Sequence, residues 1–124
     1  METLLAKPSK EIVDTACQLI SEKQVVALPT ETVYGLFADA TDSVACENIF
    51  KAKERPMDNP LIVHISNFED IYPIVEEVSE EAVKIAKAFW PGPLTVIFPK
   101  SDKVPMETTG GLNTVAVRMP SHPV

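Results

Sequence analysis

Apolar positions along the chain follow two different periods, and the switches between them mark out the elements. Ile12, Val13, Ala16, Leu19 and Ile20 recur at helical spacing with Glu11, Asp14 and Lys23 opposite. With Ser9 as N-cap they predict a helix to about Lys23, and Cys17 borders its apolar stripe. Val25 to Leu28 has the length and content of a strand, and Leu36 to Ala40 reads as a second. Asp42 or Ser43 opens the next helix, in which Val44, Ala45, Ile49 and Phe50 form a face ending near Lys53. Pro56 and Pro60 bracket turn-forming residues, so Arg55 to Pro60 is a loop. Leu61 to Ile65 then alternates, with Leu61, Val63 and Ile65 on one face and Ile62 and His64 on the other. Ser79 caps a helix holding Val83, Ala86, Phe89 and Trp90, which Pro91 and Gly92 stop. Leu94 to Phe98 and Thr114 to Met119 are further strands, separated by a loop containing Thr108-Thr109-Gly110-Gly111. Helices interleaved with mostly buried strands predict an α/β fold of the α+β type, a three-layer sandwich in which helices flank a twisted mixed sheet.

The 124 residues suffice for one domain with its own core. A strand that ends at Met119, five residues before the end and with no helix after it, reads as a domain lacking its C-terminal part. No apolar run approaches a membrane span and no basic-then-apolar start suggests a leader, so the expected compartment is cytoplasmic, with no membrane partner. Cys17 and Cys46 lack metal-ligand spacing and read as buried free thiols. A formal net charge of −7 argues against a non-specific nucleic-acid binder. The charge is unevenly spread: Glu69 to Glu81 carries most of the acidic excess and reads as a solvated helical face, whereas Lys51, Lys53 and Arg55 form a basic cluster.

Candidate chemistry lies at the strand exits. In Pro29-Thr30-Glu31-Thr32-Val33-Tyr34-Gly35-Leu36, Pro29 fixes φ, Gly35 allows a backbone geometry that other residues resist, and Thr30, Thr32 and Tyr34 supply donors and acceptors. The octapeptide suits a binding loop and equally an ordinary turn. Lys51, Lys53 and Arg55 ahead of Asn59 and Pro60 suit the oxygens of a triphosphate, or a basic helix end favoured by the macrodipole. No glycine-rich nucleotide loop is present. His64 is either a hydrogen-bonded core residue or, across the sheet from Val63, a ligand-facing imidazole. Arg118 suits a surface acid or a substrate carboxylate. Trp90-Pro91-Gly92-Pro93 reads as an architectural helix stop.

Taken together, Pro29 to Leu36, Lys51 to His64, Trp90 to Phe98 and Val115 to His122 resemble, in order and spacing, the YrdC-like family of threonylcarbamoyl-adenylate synthases, whose fold is described as YrdC/RibB-like. The resemblance covers nearly the whole chain as a single YrdC-like domain, residues 1–124. It implies a nucleotidyltransferase that joins L-threonine, bicarbonate or CO2, and ATP into threonylcarbamoyl-AMP and pyrophosphate, for the threonylcarbamoyl modification of adenosine beside the tRNA anticodon. By the same resemblance Thr32, His64 and Arg118 contact threonine. Lys53, Arg55, Asn59 and Thr114 face ATP, and Lys53 and Arg55 carry the catalysis with Mg2+ accompanying the nucleotide and no metal ligand assigned to the protein.

The carbamate attacks phosphorus as an anion that needs no activating base, so neutralising and aligning charges dominates the expected mechanism, with His64 available to accept a proton. Partners implied are tRNA or proteins of a tRNA-modification complex, although the acidic balance argues against direct tRNA affinity. Family domains continue into a serine and asparagine motif that this sequence does not contain. Two alternatives keep the fold: a carbamoyl-adenylate-forming domain of hydrogenase maturation, and a non-catalytic RNA-binding or regulatory module.

Overall fold

The computed structural model describes residues 2–124. The first helix, α1, spans Lys10–Ser21, and the Ser9 hydroxyl accepts from the Ile12 amide at 3.2 Å, so the cap read from sequence forms. Strands β1 (Val26–Pro29) and β2 (Tyr34–Phe37) make an antiparallel hairpin in which Val26 faces Phe37 and Pro29 faces Tyr34. Helix α2 (Ser43–Lys53) starts at Asp42, whose carboxylate accepts from the Ala45 amide, and ends at Glu54 in the left-handed region. Strand β3 (Ile62–His64) follows the proline-bracketed loop. Ser79 caps α3 (Glu80–Phe89), which leads to β4 (Thr95–Pro99); a short helix α4 (Met106–Thr109) precedes β5 (Thr114–Arg118).

The second sheet runs β3-β5-β4, parallel between β3 and β5 and antiparallel between β5 and β4, so the expected mixed sheet among helices is present. Its core face carries Val63, Phe98, Val115 and Val117, which pack with Ile71, Ile74, Val75, Val104, Ala86 of α3 and Trp90. Each buried valine, isoleucine or phenylalanine side chain contributes about 1.5–3 kcal/mol. The Trp90 indole donates to the Leu94 carbonyl at 2.8 Å, which fixes the turn from α3 into β4. No helix among the described residues is long and apolar enough to cross a membrane.

Several expectations are corrected. Strand β2 begins at Tyr34 rather than Leu36, because the turn before it closes over only residues 30–33. The acidic stretch is not one helical face: it holds a 3-10 turn at Phe68–Ile71 and the core residues Ile71, Ile74 and Val75, while its charged positions and Tyr72 are solvated. Phe89 stays 62% exposed while Trp90 is buried, because the helix ends at Phe89 and the extended Trp90 turns its ring inward. Cys17 is exposed, since it lies just off the stripe that α1 turns toward the protein; Cys46 is buried as expected. The loop before β5 contains α4, whose Thr108 and Thr109 are buried.

Candidate active site

The register of three strands builds one wall. His64 pairs with Arg118, and Arg118 pairs with Thr95, so the three side chains form a row across β3-β5-β4. Paired residues share a face, and the next row, Val63, Val117 and Val96, therefore lies on the core side. A slip of one residue would bury this polar row and expose the valines. Arg118 Nε and Nη2 donate to Thr95 Oγ1 at 3.0 and 2.9 Å, which fixes the guanidinium and leaves its outer donors free.

His64 is held on two sides. Its Nδ1 lies 3.1 Å from the Ile62 carbonyl, which only accepts, so Nδ1 carries the proton and Nε2 keeps its lone pair. The Phe37 ring stands edge-on to the imidazole, with centroids 4.9 Å apart. Burial pushes the His64 pKa below its ordinary value, the Ile62 hydrogen bond works against this, and the nearby Arg118 charge lowers it further while Glu31 raises it. The imidazole is thus neutral with a free acceptor.

The hairpin turn is organised by one hydroxyl. Thr30 Oγ1 donates to the Val33 carbonyl at 2.7 Å and accepts from the Thr32 and Val33 amides. Its only proton is then committed, so in the 3.0 Å contact between the two hydroxyls Thr32 is the donor. Thr32 Oγ1 is left with acceptor capacity. Gly35 serves differently from the expectation. Its φ is not positive; a Cβ there would come within 3.3 Å of the Phe37 ring, so its bareness leaves room for the ring that packs on His64. Tyr34 is exposed and lies outside the site.

A cavity of about 540 Å³ collects these parts, a volume suited to a small-molecule ligand. Thr32, Lys53, Arg55, His64 and Arg118 all line it. Asn59 is half-buried in the loop beyond Arg55, and Thr114 is exposed at the opposite end of β5 from Arg118; neither lines the cavity, and Lys51 does not reach it. Three cations thus face one cavity in a chain of net charge −7.

Helix α4 ties the basic loop in place. Thr108 Oγ1 donates to the Ala40 carbonyl at 2.7 Å, the Leu61 amide donates to the Thr108 carbonyl at 2.9 Å, and the Cys46 thiol lies 3.1 Å from Thr108 Oγ1. Burial pushes the Cys46 pKa up, the hydrogen bond to Thr108 acting against it. Gly110, at φ +65°, lets the chain pass so close to the loop that a Cβ would sit 2.7 Å from the Asp58 carbonyl oxygen. Sequence reasoning missed Thr95, Phe37 and Thr108, whose roles depend on pairings between distant segments. Among the described residues no group of three or more His, Cys, Asp or Glu side chains is placed to hold a metal ion.

Comparison with known proteins gives consistent matches. The Sua5/YciO/YrdC family model, described as telomere recombination, matches residues 18–124. The chain is 57% identical over 109 residues to the threonylcarbamoyl-AMP synthase of Pyrococcus abyssi, covering 88% of this chain and 32% of that protein. Identity to the threonylcarbamoyl-AMP synthase of Bacillus subtilis is 49% over 110 residues, again with 88% and 32% covered. The crystal structure of P. abyssi Sua5 complexed with L-threonine superposes with a TM-score of 0.90 at 53% identity, over 94% of this chain and 34% of that one. The chain spans about a third of the length of these relatives.

Proposed function

The chain belongs to the Sua5/YciO/YrdC family, and from that premise we propose that it forms the amino-acid and polyphosphate wall of a threonylcarbamoyl-AMP synthase. One observation carries this reading: Arg55 and Arg118 line the same cavity, together with Thr32, Lys53 and His64. A guanidinium fixed by Thr95 suits the α-carboxylate of L-threonine, and a lysine and arginine at the other part of the wall suit phosphate oxygens. The L-threonine in the P. abyssi Sua5 structure supports the amino acid as substrate.

Threonine's ammonium and bicarbonate give a carbamate, water and one proton. Neutral His64, with Nε2 free, takes that proton. The carbamate oxygen forms a bond to the α-phosphorus of ATP as the bond to the β-phosphate oxygen breaks, giving threonylcarbamoyl-AMP and pyrophosphate. Lys53 and Arg55 offset the repulsion between the two anions and align the attack. Mg2+ would accompany the nucleotide and supply further charge neutralisation at its phosphates, beside Lys53 and Arg55. Asn59 and Thr114 lie outside the cavity wall, and their assignment to ATP rests on the family resemblance. The product serves tRNA threonylcarbamoyl modification, which fits a cytoplasmic protein.

Incubation with L-threonine, bicarbonate, Mg2+ and labelled ATP tests the proposal: pyrophosphate release that requires threonine supports it. Release that ignores threonine, or none from a longer chain carrying this segment, rejects it. Carbamoyl phosphate in place of threonine separates the hydrogenase-maturation alternative, and tRNA titration at low and high salt separates the RNA-binding one.

A further inference from the structure

Phe37 is an aromatic side chain that the core does not use. It is half-buried, lies outside the packed core, and lines the cavity beside Gly35 and His64. Its ring meets the His64 imidazole at 84°, with centroids 4.9 Å apart, an edge-on arrangement that aromatic pairs favour. The backbone makes room for this contact, since a Cβ at Gly35 would come within 3.3 Å of the ring at Cε2 and 3.7 Å at Cζ. The contact also joins two separate sheets: Phe37 ends β2 of the hairpin, and His64 ends β3 of the β3-β5-β4 sheet. The hairpin turn carries Thr32 and the larger sheet carries Arg118, so the ring stands at the joint between the two sides of the amino-acid wall.

We propose that Phe37 is the positioning residue of His64: its ring sets the plane of the imidazole and thereby the direction in which Nε2 offers its lone pair. The assignment rests on the reading of His64 as acceptor of the proton released when threonine becomes a carbamate. The hydrogen bond from Nδ1 to the Ile62 carbonyl, at 3.1 Å, pins one ring atom to the histidine's own strand. One such bond leaves the ring free to swing about it. The lone pair on Nε2 lies in the ring plane, so a swing of that plane carries it away from the amine. A flat ring set nearly perpendicular to the imidazole blocks the swing, because rotation either drives one ring into the other or opens a gap between them. Proton acceptance needs the acceptor within hydrogen-bond reach of the amine, so a misaimed Nε2 lowers the rate more than it lowers affinity. Phe37 thus acts through the imidazole.

Imidazole 15N spectra of wild type, Phe37→Leu, Gly35→Ala and the double variant test the assignment, together with threonine-dependent pyrophosphate release. Phe37→Leu keeps an apolar side chain of similar bulk and removes the flat ring. His122, the second of the two histidines, accepts from the Val124 amide at Nδ1 and so is the opposite tautomer, which tells the two sets of signals apart. In Phe37→Leu the His64 signals are expected to move from the Nδ1-protonated pattern toward an average of the tautomers, with those of His122 unchanged. With them kcat falls by about 2- to 10-fold while KM for ATP stays within about twofold. Gly35→Ala crowds the ring and moves both readouts the same way; in the Phe37→Leu background it adds nothing, because it acts through the ring. Wild-type His64 signals in Phe37→Leu, with only the melting temperature lowered, make the ring structural and overturn the proposal. Moved signals with an unchanged kcat, a kcat loss matched by an equal rise in KM for ATP, or additive losses in the double variant overturn it as well. Wild type that releases no threonine-dependent pyrophosphate fails the proposed function instead, and the imidazole spectra then decide the positioning alone.

Discussion

Arg118→Ala is the perturbation whose size the structure allows to be worked out. The guanidinium has five N–H donors, and Thr95 Oγ1 occupies one on Nε and one on Nη2. The outer edge keeps a parallel pair, one N–H from each terminal nitrogen, which matches the two oxygens of a carboxylate. Losing such a pair and leaving the carboxylate unmatched costs about 2 to 5 kcal/mol. Because Arg118 is half-buried, screening places the effect in the lower part of that range. The corresponding loss in threonine affinity is on the order of 30- to several-hundred-fold, at about 1.4 kcal/mol per decade.

Calorimetric titration with L-threonine reads this directly, and a parallel titration with ATP acts as the internal control, expected to change by less than about threefold on the same scale. Thr95→Val leaves the charge in place but releases it from its hydrogen bonds; the expected loss is about 1 kcal/mol, restored by Thr95→Ser. A variant Arg118→Ala that binds threonine as well as wild type, or that loses both ligands equally, refutes the reasoning.

Lys53→Ala is expected to weaken ATP binding while threonine affinity holds, and unchanged nucleotide affinity in a titration removes Lys53 from the site. Gly110→Ala meets both a left-handed φ and the Asp58 carbonyl, so denaturant melts should show a loss of about 2 kcal/mol or more; Gly111→Ala, at φ +85° with open space around its Cβ, loses only the conformational part, about 1–2 kcal/mol. A thiol reagent is expected to label the exposed Cys17 quickly and the buried, high-pKa Cys46 slowly, and two equally fast thiols in native protein would contradict the packing of α2 on α4. His64 binds its proton less readily folded than unfolded, so stability rises with pH up to about 6.5 and is lost as pH falls through the depressed folded pKa; His64→Asn should flatten that slope, and an unchanged slope would show that burial does not govern the imidazole.

The three long helices were legible because their caps are local. Ser9, Asp42 and Ser79 each accept from a backbone amide three residues on, a bond that a sequence spells out within one turn. The short elements were not. Asn67 and Asp70 do carry a capping signal, with the Asn67 amide donating to Asp70 at 3.0 Å, but the turn they start is held by burial of Ile71 rather than by its own periodicity. Helix α4 is shorter still, and its stability comes from Thr108 bonding Ala40, sixty-eight residues away in sequence. Gly110 beside two buried threonines was the visible trace of its end.

For the site, residue chemistry was readable and its assembly was not. An arginine after a β-branched strand, a histidine in an alternating strand and cations before a proline loop each have an ordinary structural use, and nothing local separates that use from ligand binding. The separation comes from register. Because β3 and β4 both pair with β5, Arg118 stands between His64 and Thr95 on the side opposite the valines, and the same pairing that buries Val63 and Val117 forces the polar row outward to the cavity. Core packing thereby orients the candidate chemistry: any substitution that shifts the β3–β5 register to improve apolar contacts would turn the histidine and arginine into the core, where their burial costs oppose the shift. The polar row and the valine row therefore hold each other in register.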